Sequence, residues 1–299
     1  MVLKFLTKNT RKEEKIFSRD SLFVLRNLRD IDYDRYLACL LSPPLYRISL
    51  SFLYYFHTEL MRVRDTARNP ITRDMRLQWW KDIFESSTKG LIAESISPFS
   101  VELLSIVRQY DLPNQYFLDM IEAHFFDSYN DSIFDCKQFE HYAFRISSRL
   151  IHLATMILDS ERYSASLRVI KYAGIAQFIG QLICQLPIHY HRGQLYFPLD
   201  ILGAVGLDRE SFLSGQNSDR ISLAIKIFAE LGLKYLFKAR EEMRYILPDV
   251  FPAFIPVSIT ESVLKHAQNH GFKIVSHSHT PNQLVRPWYM LSSSIKKRF

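Results

Sequence analysis

An all-α fold, a single-domain helical bundle around a central cavity, is what this sequence predicts, on three observations. Glycine is scarce: 9 of 299 residues, about 3% where about 7% is usual, and turns and hairpins need glycine most. Proline and capping residues divide the chain into roughly ten helix-length stretches. Strand patterns are nearly absent, with "GQLYFPL" alone as a candidate. The 22 Phe and 16 Tyr supply bulk to fill the space between helices or to line an apolar, lipid-sized pocket.

The elements follow in order. "DIDYDRYLACLLS" reads as a helix stopped by Pro43 and Pro44. Pro44 suits the first turn of the next helix, and "PLYRISLSFLYYFHTELMRVRDTARN" continues to Pro70. From Pro70, "PITRDMRLQWWKDIFESS" places Leu77, Trp80, Ile83 and Phe84 on one face. Ser97 with Pro98 opens "PFSVELLSIVRQY", and Pro113 opens "PNQYFLDMIEAHFFDSY". "CKQFEHYAFRISSRLIHLATMILD" and "SASLRVIKYAGIAQFIGQLICQL" form a long middle pair. After Pro198 come a short loop region, the helix "RISLAIKIFAELGLKYLFKAREEMRYIL", and a last part in which Ser258 and Glu261 have capping-box spacing. Residues 1–29 are read as an N-terminal surface arm and 30–299 as the domain.

Composition excludes several classes. Cys39, Cys136 and Cys184 are widely spaced without a CxxC pair, so neither a disulfide framework nor a zinc site is encoded, and a reducing compartment fits. The N-terminal arm has no apolar signal core, and Glu13, Glu14 and Asp20 count against an acid-poor transit peptide. Tyr172 to His191 is twenty residues without a charge, long enough to span a membrane. Its glutamines, histidines and Pro187 make a central core helix the better reading.

The net charge of +7 and pI near 9.2 point to anionic partners. Basic residues concentrate at Arg62, Arg64, Arg68, Arg73 and Arg76, and at Lys296, Lys297 and Arg298. No nucleic-acid motif accompanies them. The proline-led, aromatic-rich "PLYRISLSFLYYF", with basic residues at both termini, suggests a peripheral contact with anionic lipid.

The unusual feature is a polar stripe. Gln177, Gln181, Gln185 and His189 recur every four residues inside an apolar segment, which stacks them on one helix face. Around them the residues match a known pattern: "YDRYLACLLSP", "YYFHTELMRVRD", "RLQWW", "YAFRISSRL" and above all "GIAQFIGQLICQLPIHYHRGQLYFP", whose Gly174, Ala176, Arg192, Gly193, Tyr196 and Pro198 fall in register without a gap. From about Tyr33 to about Ile295 the chain resembles the squalene/phytoene synthase family of head-to-head prenyl diphosphate synthases, which implies the isoprenoid synthase fold.

In that family two facing helices each supply a DxxxD pair, whose carboxylates gather magnesium ions on the substrate diphosphate. The resemblance puts the four positions at Met61, Asp65, Gln185 and His189. Only Asp65 is a carboxylate; a thioether, an amide and an imidazole are poor magnesium ligands. The stripe thus reads as a former metal-binding face, stripped of charge. "ELMRVRD", "MRLQWWKD" and "PIHYHRGQLYFPLDIL" are similar to the family's branch of respiratory complex I assembly factors, mitochondrial and bacterial, in which the aspartate motifs have decayed.

The resemblance implies a catalytically silent, membrane-associated assembly factor for respiratory complex I, or an isoprenoid or lipid binder. Its partners would be complex I subunits or assembly intermediates, an isoprenoid or phospholipid, and the membrane surface, without nucleic acid, metal or other cofactor. It would sit in the cytoplasm or on the inner face of the inner membrane in a bacterium, and on the matrix side in a mitochondrion. The alternative is an active prenyltransferase acting on prenyl diphosphates with magnesium and atypical diphosphate binding through Asp65, His189, Arg62, Arg64, Arg68 and Arg192. Candidate cavity residues are Thr58, Met61, Arg62, Asp65, Tyr142, Arg145, Gln177, Gln181, Gln185, His189 and Arg192. Asp65 also suits a pair with Arg62 or Arg68 on its own helix. Tyr142, Phe144 and Arg145 also suit core packing with a buried ion pair. "HYH", His189 and His191, is a weak metal pair, because i and i+2 diverge on a helix.

Overall fold

The computed structural model describes residues 19–67, 69–89, 97–129, 131–159, 167–243, 248–276 and 285–299. Arg68 and residues 1–18 fall outside them. Every regular element among the described residues is helical. The helices are α1 (Arg19–Ile31), α2 (Tyr33–Leu41), α3 (Arg47–Thr66), α4 (Pro70–Thr88), α5 (Pro98–Gln109), α6 (Asn114–Tyr129) and α7 (Cys136–Ala143). A π-helical turn, Phe144–Ser148, joins α7 to α8 (Arg149–Leu158). Then come α9 (Leu167–His191), α10 (Leu199–Ala204), α11 (Arg209–Ser214), α12 (Ser218–Glu241), a 3₁₀ segment (Pro248–Ile259), α13 (Thr260–His270), α14 (Lys273–Ser276) and α15 (Arg286–Lys296).

The starts of several helices are written locally. Asp32 caps α2 by accepting from the Arg35 amide, Asn69 caps α4 by accepting from Ile71, with Pro70 behind it, and Ser97 caps α5 with a reciprocal bond to Ser100. Each cap satisfies an amide that has no partner within its helix. Helix α9 runs through the middle, packed most extensively on α12 and also on α13, α8 and the π turn. Its apolar residues are buried almost throughout, from Val169 to Leu186. The uncharged stretch is therefore the spine of the core. It continues through Pro187 to His191, which keeps the polar stripe on one helix.

One apolar cluster unites all these helices, with an aromatic set at its heart: Phe56 against Trp80, Phe84 and Phe117, at centroid distances of 5.0 to 5.6 Å. Edge-to-face and offset rings of this kind pack densely while keeping favourable quadrupole contacts.

Five expectations need correction. The boundary at residue 29 cuts through α1, whose Val24 and Leu28 are buried; the domain therefore takes in residues assigned to the arm. "GQLYFPL" is irregular rather than a strand, because Leu195 and Phe197 turn into the core and the following amides of Leu199 and Asp200 bond the carbonyls of Ile133 and Phe134. The region after Pro198 is two short helices, α10 and α11, rather than a loop. The capping box at Ser258 and Glu261 does not form. The chain is already helical there, so Ser258 Oγ donates to the Ile255 carbonyl while Glu261 holds Arg240 and Lys265. "PLYRISLSFLYYF" is exposed only at its start, at Pro44 and Leu45; Ser49 to Phe56 are buried, so its aromatic run faces the core rather than a membrane.

A close helix crossing lies at Gly174. A Cβ there would sit 2.3 Å from Ser148 Oγ and 2.5 Å from Ser148 Cα, because the π turn presses its own backbone onto α9. The Ser148 hydroxyl also donates to the Lys171 carbonyl at 3.1 Å. Gly174→Ala therefore lowers unfolding stability by about 1–3 kcal/mol, the usual cost of overpacking. Gly203→Ala in α10, where a Cβ meets nothing within 4 Å, leaves the thermal midpoint within a degree or two. Parallel melts of the two variants check the contrast.

Candidate functional site

Helices α3 and α9 face each other across a cavity of about 350 Å³. From α3 come His57, Thr58, Met61, Arg62, Arg64 and Asp65; from α9 come Gln181, Gln185, Ile188 and His189. These positions recur at three and four residues, so each helix presents one stripe. Asp32 and Arg35 close one side, and Asp127, Arg192, Gln194 and Tyr196 the other. Gly193, at φ +64°, supplies the left-handed turn that ends α9 and swings Gln194 and Tyr196 back over the cavity.

Thr58, Met61, Arg62, Asp65, Gln181, Gln185, His189 and Arg192 thus line one space, as the sequence suggests. Tyr142, Arg145 and Gln177 do not. Gln177 lies deeper on α9, where it accepts from Ser147 Oγ at 3.4 Å; the far end of the stripe is a buried helix–helix contact. Tyr142 stands behind the wall: its hydroxyl donates to Asp127 at 2.5 Å and its ring stacks on Tyr196. Arg145 points away, donating to Glu122 at 2.8 Å, and this pair is partly exposed rather than buried. His191 is exposed, while His189 faces the cavity, so the two imidazoles diverge.

The cavity holds residues that sequence reasoning missed. Asp127, in "FFDSY", carries no local signal and reaches the site only through the packing of α6, whereas the sequence already offers Arg64 for the alternative's diphosphate binding and Tyr196 for its register. Asp32 and Arg35 belong to a capping pattern whose second use is visible only in three dimensions. Asp32, Asp65 and Asp127 are all occupied: Asp32 by the Arg35 guanidinium, Asp65 by Arg192, and Asp127 by Tyr142 and His124 Nδ1 at 3.0 Å. Asp65 therefore pairs across to the turn after α9, not with Arg62 along its own helix. Arg64 donates to the Tyr196 hydroxyl at 3.4 Å, and the Gln194 amide, turned with its oxygen toward Arg64, accepts from Nη2 at 2.9 Å.

Burial governs the titration of the site. His189 is pushed down to about 4 by desolvation, against the opposing pull of Asp127. His57 is held well below the ordinary histidine value by complete burial, with Arg35 and His124 adding to the effect. Both imidazoles are neutral near pH 7. Arg35 Nη2, both ring nitrogens of His57 and Gln181 Oε1 have no hydrogen-bond partner within the protein. Buried polar groups are otherwise paired almost without exception, so this floor suits water or a polar group carrying both donors and acceptors.

Magnesium does not suit this donor set. It requires several hard oxygen ligands in octahedral geometry. The facing positions are thioether, amide, imidazole and one carboxylate already bonded to a guanidinium. Among the described residues, no three of His, Cys, Asp and Glu converge as a ligand group.

Because a histidine lowered from about 6.5 is neutral in the folded chain but protonates when unfolded, it adds stability above its unfolded value, and that stability is lost as pH falls from 6.5 toward 4. His57, His152 and His189 all act in this sense, while Asp34, raised to about 6 by burial, opposes them between its ordinary value and 6. For His189→Gln, denaturant titrations at pH 7 and pH 5.5 give a loss on acidification smaller than that of the unchanged chain by about 1 kcal/mol.

Comparison with known proteins agrees with this geometry. The squalene/phytoene synthase family model matches residues 28–287. The chain is 26% identical over 278 residues to the NADH dehydrogenase (ubiquinone) complex I assembly factor 6 of Mus musculus, spanning 93% of this chain and 83% of that relative. It is 20% identical over 266 residues to the 15-cis-phytoene synthase of Synechocystis, spanning 84% and 78%. Its fold is similar to the crystal structure of squalene synthase HpnC from Alicyclobacillus acidocaldarius, with a TM-score of 0.71 at 17% identity over 85% of this chain and 95% of that one. With helices, central cavity and matched residues in agreement, the chain belongs to the squalene/phytoene synthase family.

Proposed function

We propose that the protein is a catalytically silent member of this family that serves in the assembly of respiratory complex I. One observation carries the reading: α3 and α9 meet across the cavity with Met61, Gln185 and His189 at three of the four carboxylate positions, and the remaining Asp65 is held by Arg192. A diphosphate leaving group needs concentrated positive charge at the departing oxygens. Neutral imidazoles supply none of it, and three of the four lining arginines, Arg35, Arg64 and Arg192, are already bonded to protein acceptors. The similarity to an assembly factor along nearly the whole chain supports the positive half of the proposal. On this reading no metal cofactor is needed, the partners are complex I subunits or assembly intermediates, and the place of work is the membrane face where they gather: the matrix side in a mitochondrion, the inner face of the inner membrane in a bacterium. The cavity, lined mainly by polar side chains with Ile31, Met61 and Ile188 among them, then suits the polar end of an isoprenoid or phospholipid.

An active prenyltransferase is the competing reading, favoured by the arginines at the mouth, since a guanidinium holds phosphate bidentately without metal. Two of these, Arg64 and Arg192, are committed to Tyr196 and Asp65.

Incubation of the purified chain with Mg²⁺ and farnesyl or geranylgeranyl diphosphate yields no head-to-head product, and a prenyl diphosphate analogue with Mg²⁺ leaves the thermal midpoint unmoved. A Mg²⁺-dependent product that disappears on Asp65→Ala overturns the silent reading. In cells lacking the gene, native gels show depleted complex I, restored equally by the unchanged chain and by Asp65→Ala; normal complex I without the gene overturns the assembly role.

A further inference from the structure

Helix α15 is anchored on one side only. It packs on the 3₁₀ segment and on α2, buries Met290 and Ser293, and is fixed at its start by Arg286, which donates to Asp34 at 3.2 Å. The opposite side of a helix docked in this way is ordinarily polar. Here it is apolar: Trp288, Leu291 and Ile295, spaced i, i+3 and i+7 on one stripe, are 72%, 39% and 73% exposed.

Charge beside the stripe has one sign. Lys296, Lys297 and Arg298 follow directly, and residues 285–299 contain no Asp or Glu. Between α15 and α13 lies an open groove of about 970 Å³, into which Lys265, His266, Lys296 and Arg298 project. Its one acidic lining residue, Glu261, is already bonded by Arg240 and Lys265. An apolar ridge therefore runs alongside a basic groove.

We infer that α15 is a membrane-docking helix: it lies in the plane of an anionic bilayer, with Trp288, Leu291 and Ile295 entering the boundary between headgroups and acyl chains while the groove takes lipid phosphates. Tryptophan and flanking lysines favour this depth, where one end of the side chain is apolar and the other wet. Positive charge adjoining an apolar stripe matches an anionic lipid surface. A protein partner fits less well, because a stable interface needs about 800 Å² per side and three side chains in single file fall short of that. The inference stands independently of the assembly reading. It also moves the membrane contact from the buried aromatic stretch of α3 to the far end of the chain.

Flotation of the full chain tests it, using vesicles of phosphatidylcholine alone and of phosphatidylcholine with phosphatidylglycerol. At low salt the unchanged chain floats with the anionic vesicles and remains in solution with the neutral ones. Trp288→Ser with Ile295→Ser lowers the bound fraction at least tenfold, and Lys296→Glu with Arg298→Glu abolishes the preference for anionic lipid. Unchanged thermal midpoints show that these surface variants fold. Failure of the unchanged chain to float, or equal flotation of all variants, overturns the inference. So does a light-scattering mass that falls from dimer to monomer in the Trp288 and Ile295 variant without any lipid dependence, since the stripe would then bind a second copy.

Discussion

Burial of α9 is the constraint on which the rest of the structure depends. The buried part of a helix surrounded by α8, α12, α13 and the π turn cannot carry an unpaired charge, because the desolvation penalty exceeds what one hydrogen bond returns. Each residue of the polar stripe has had to find a neutral solution. Gln177 accepts from Ser147, Gln181 and Gln185 face the cavity, and His189 is held as neutral imidazole. With amide and imidazole at Gln185 and His189, this helix brings no buried carboxylate to the cavity that a cation would have to compensate.

The same logic explains the charges that remain. Arg35, Arg64 and Arg192 each meet an acceptor supplied by the protein, and Asp32, Asp65 and Asp127 each meet a donor. The lining holds Arg35, Arg62, Arg64 and Arg192 against Asp32, Asp65 and Asp127, so pairing offsets most of its charge and leaves it net positive. A cavity of this kind can retain a molecule through shape and a few hydrogen bonds. The orphaned atoms of Arg35, His57 and Gln181 show where the residual polarity is concentrated, at the floor and away from the Asp65–Arg192 closure.

Most helix starts were legible because their causes are local. Ser97 satisfies an amide three residues away, and proline excludes the helix on its N-terminal side. The α3 and α9 faces of the cavity were legible for a related reason, since a four-residue repeat on a helix fixes a face. Arg145 was not, because the π turn beginning at Phe144 alters the register of the chain and leaves Arg145 outside with Glu122; nor was Tyr142, whose place behind the wall is set by its contacts with Asp127 and Tyr196. Asp127 was invisible for want of any pattern. Ser258 shows the converse failure: a correct local motif was overridden because the preceding 3₁₀ segment left no N-terminus to cap.

By itself, the sequence determined the helical class and the position of most helix starts, properties of residue type and short-range spacing, and its resemblance supplied the family. Tertiary structure alone decided which partner each charged group takes. Ion pairing and desolvation depend on distance through space, and Asp65 lies 127 residues from Arg192 along the chain. It also decided which apolar residues stay outside. The spacing of Trp288, Leu291 and Ile295 is that of an ordinary core-facing stripe, and only the docking of α15 through Met290 and Ser293 turns it toward solvent.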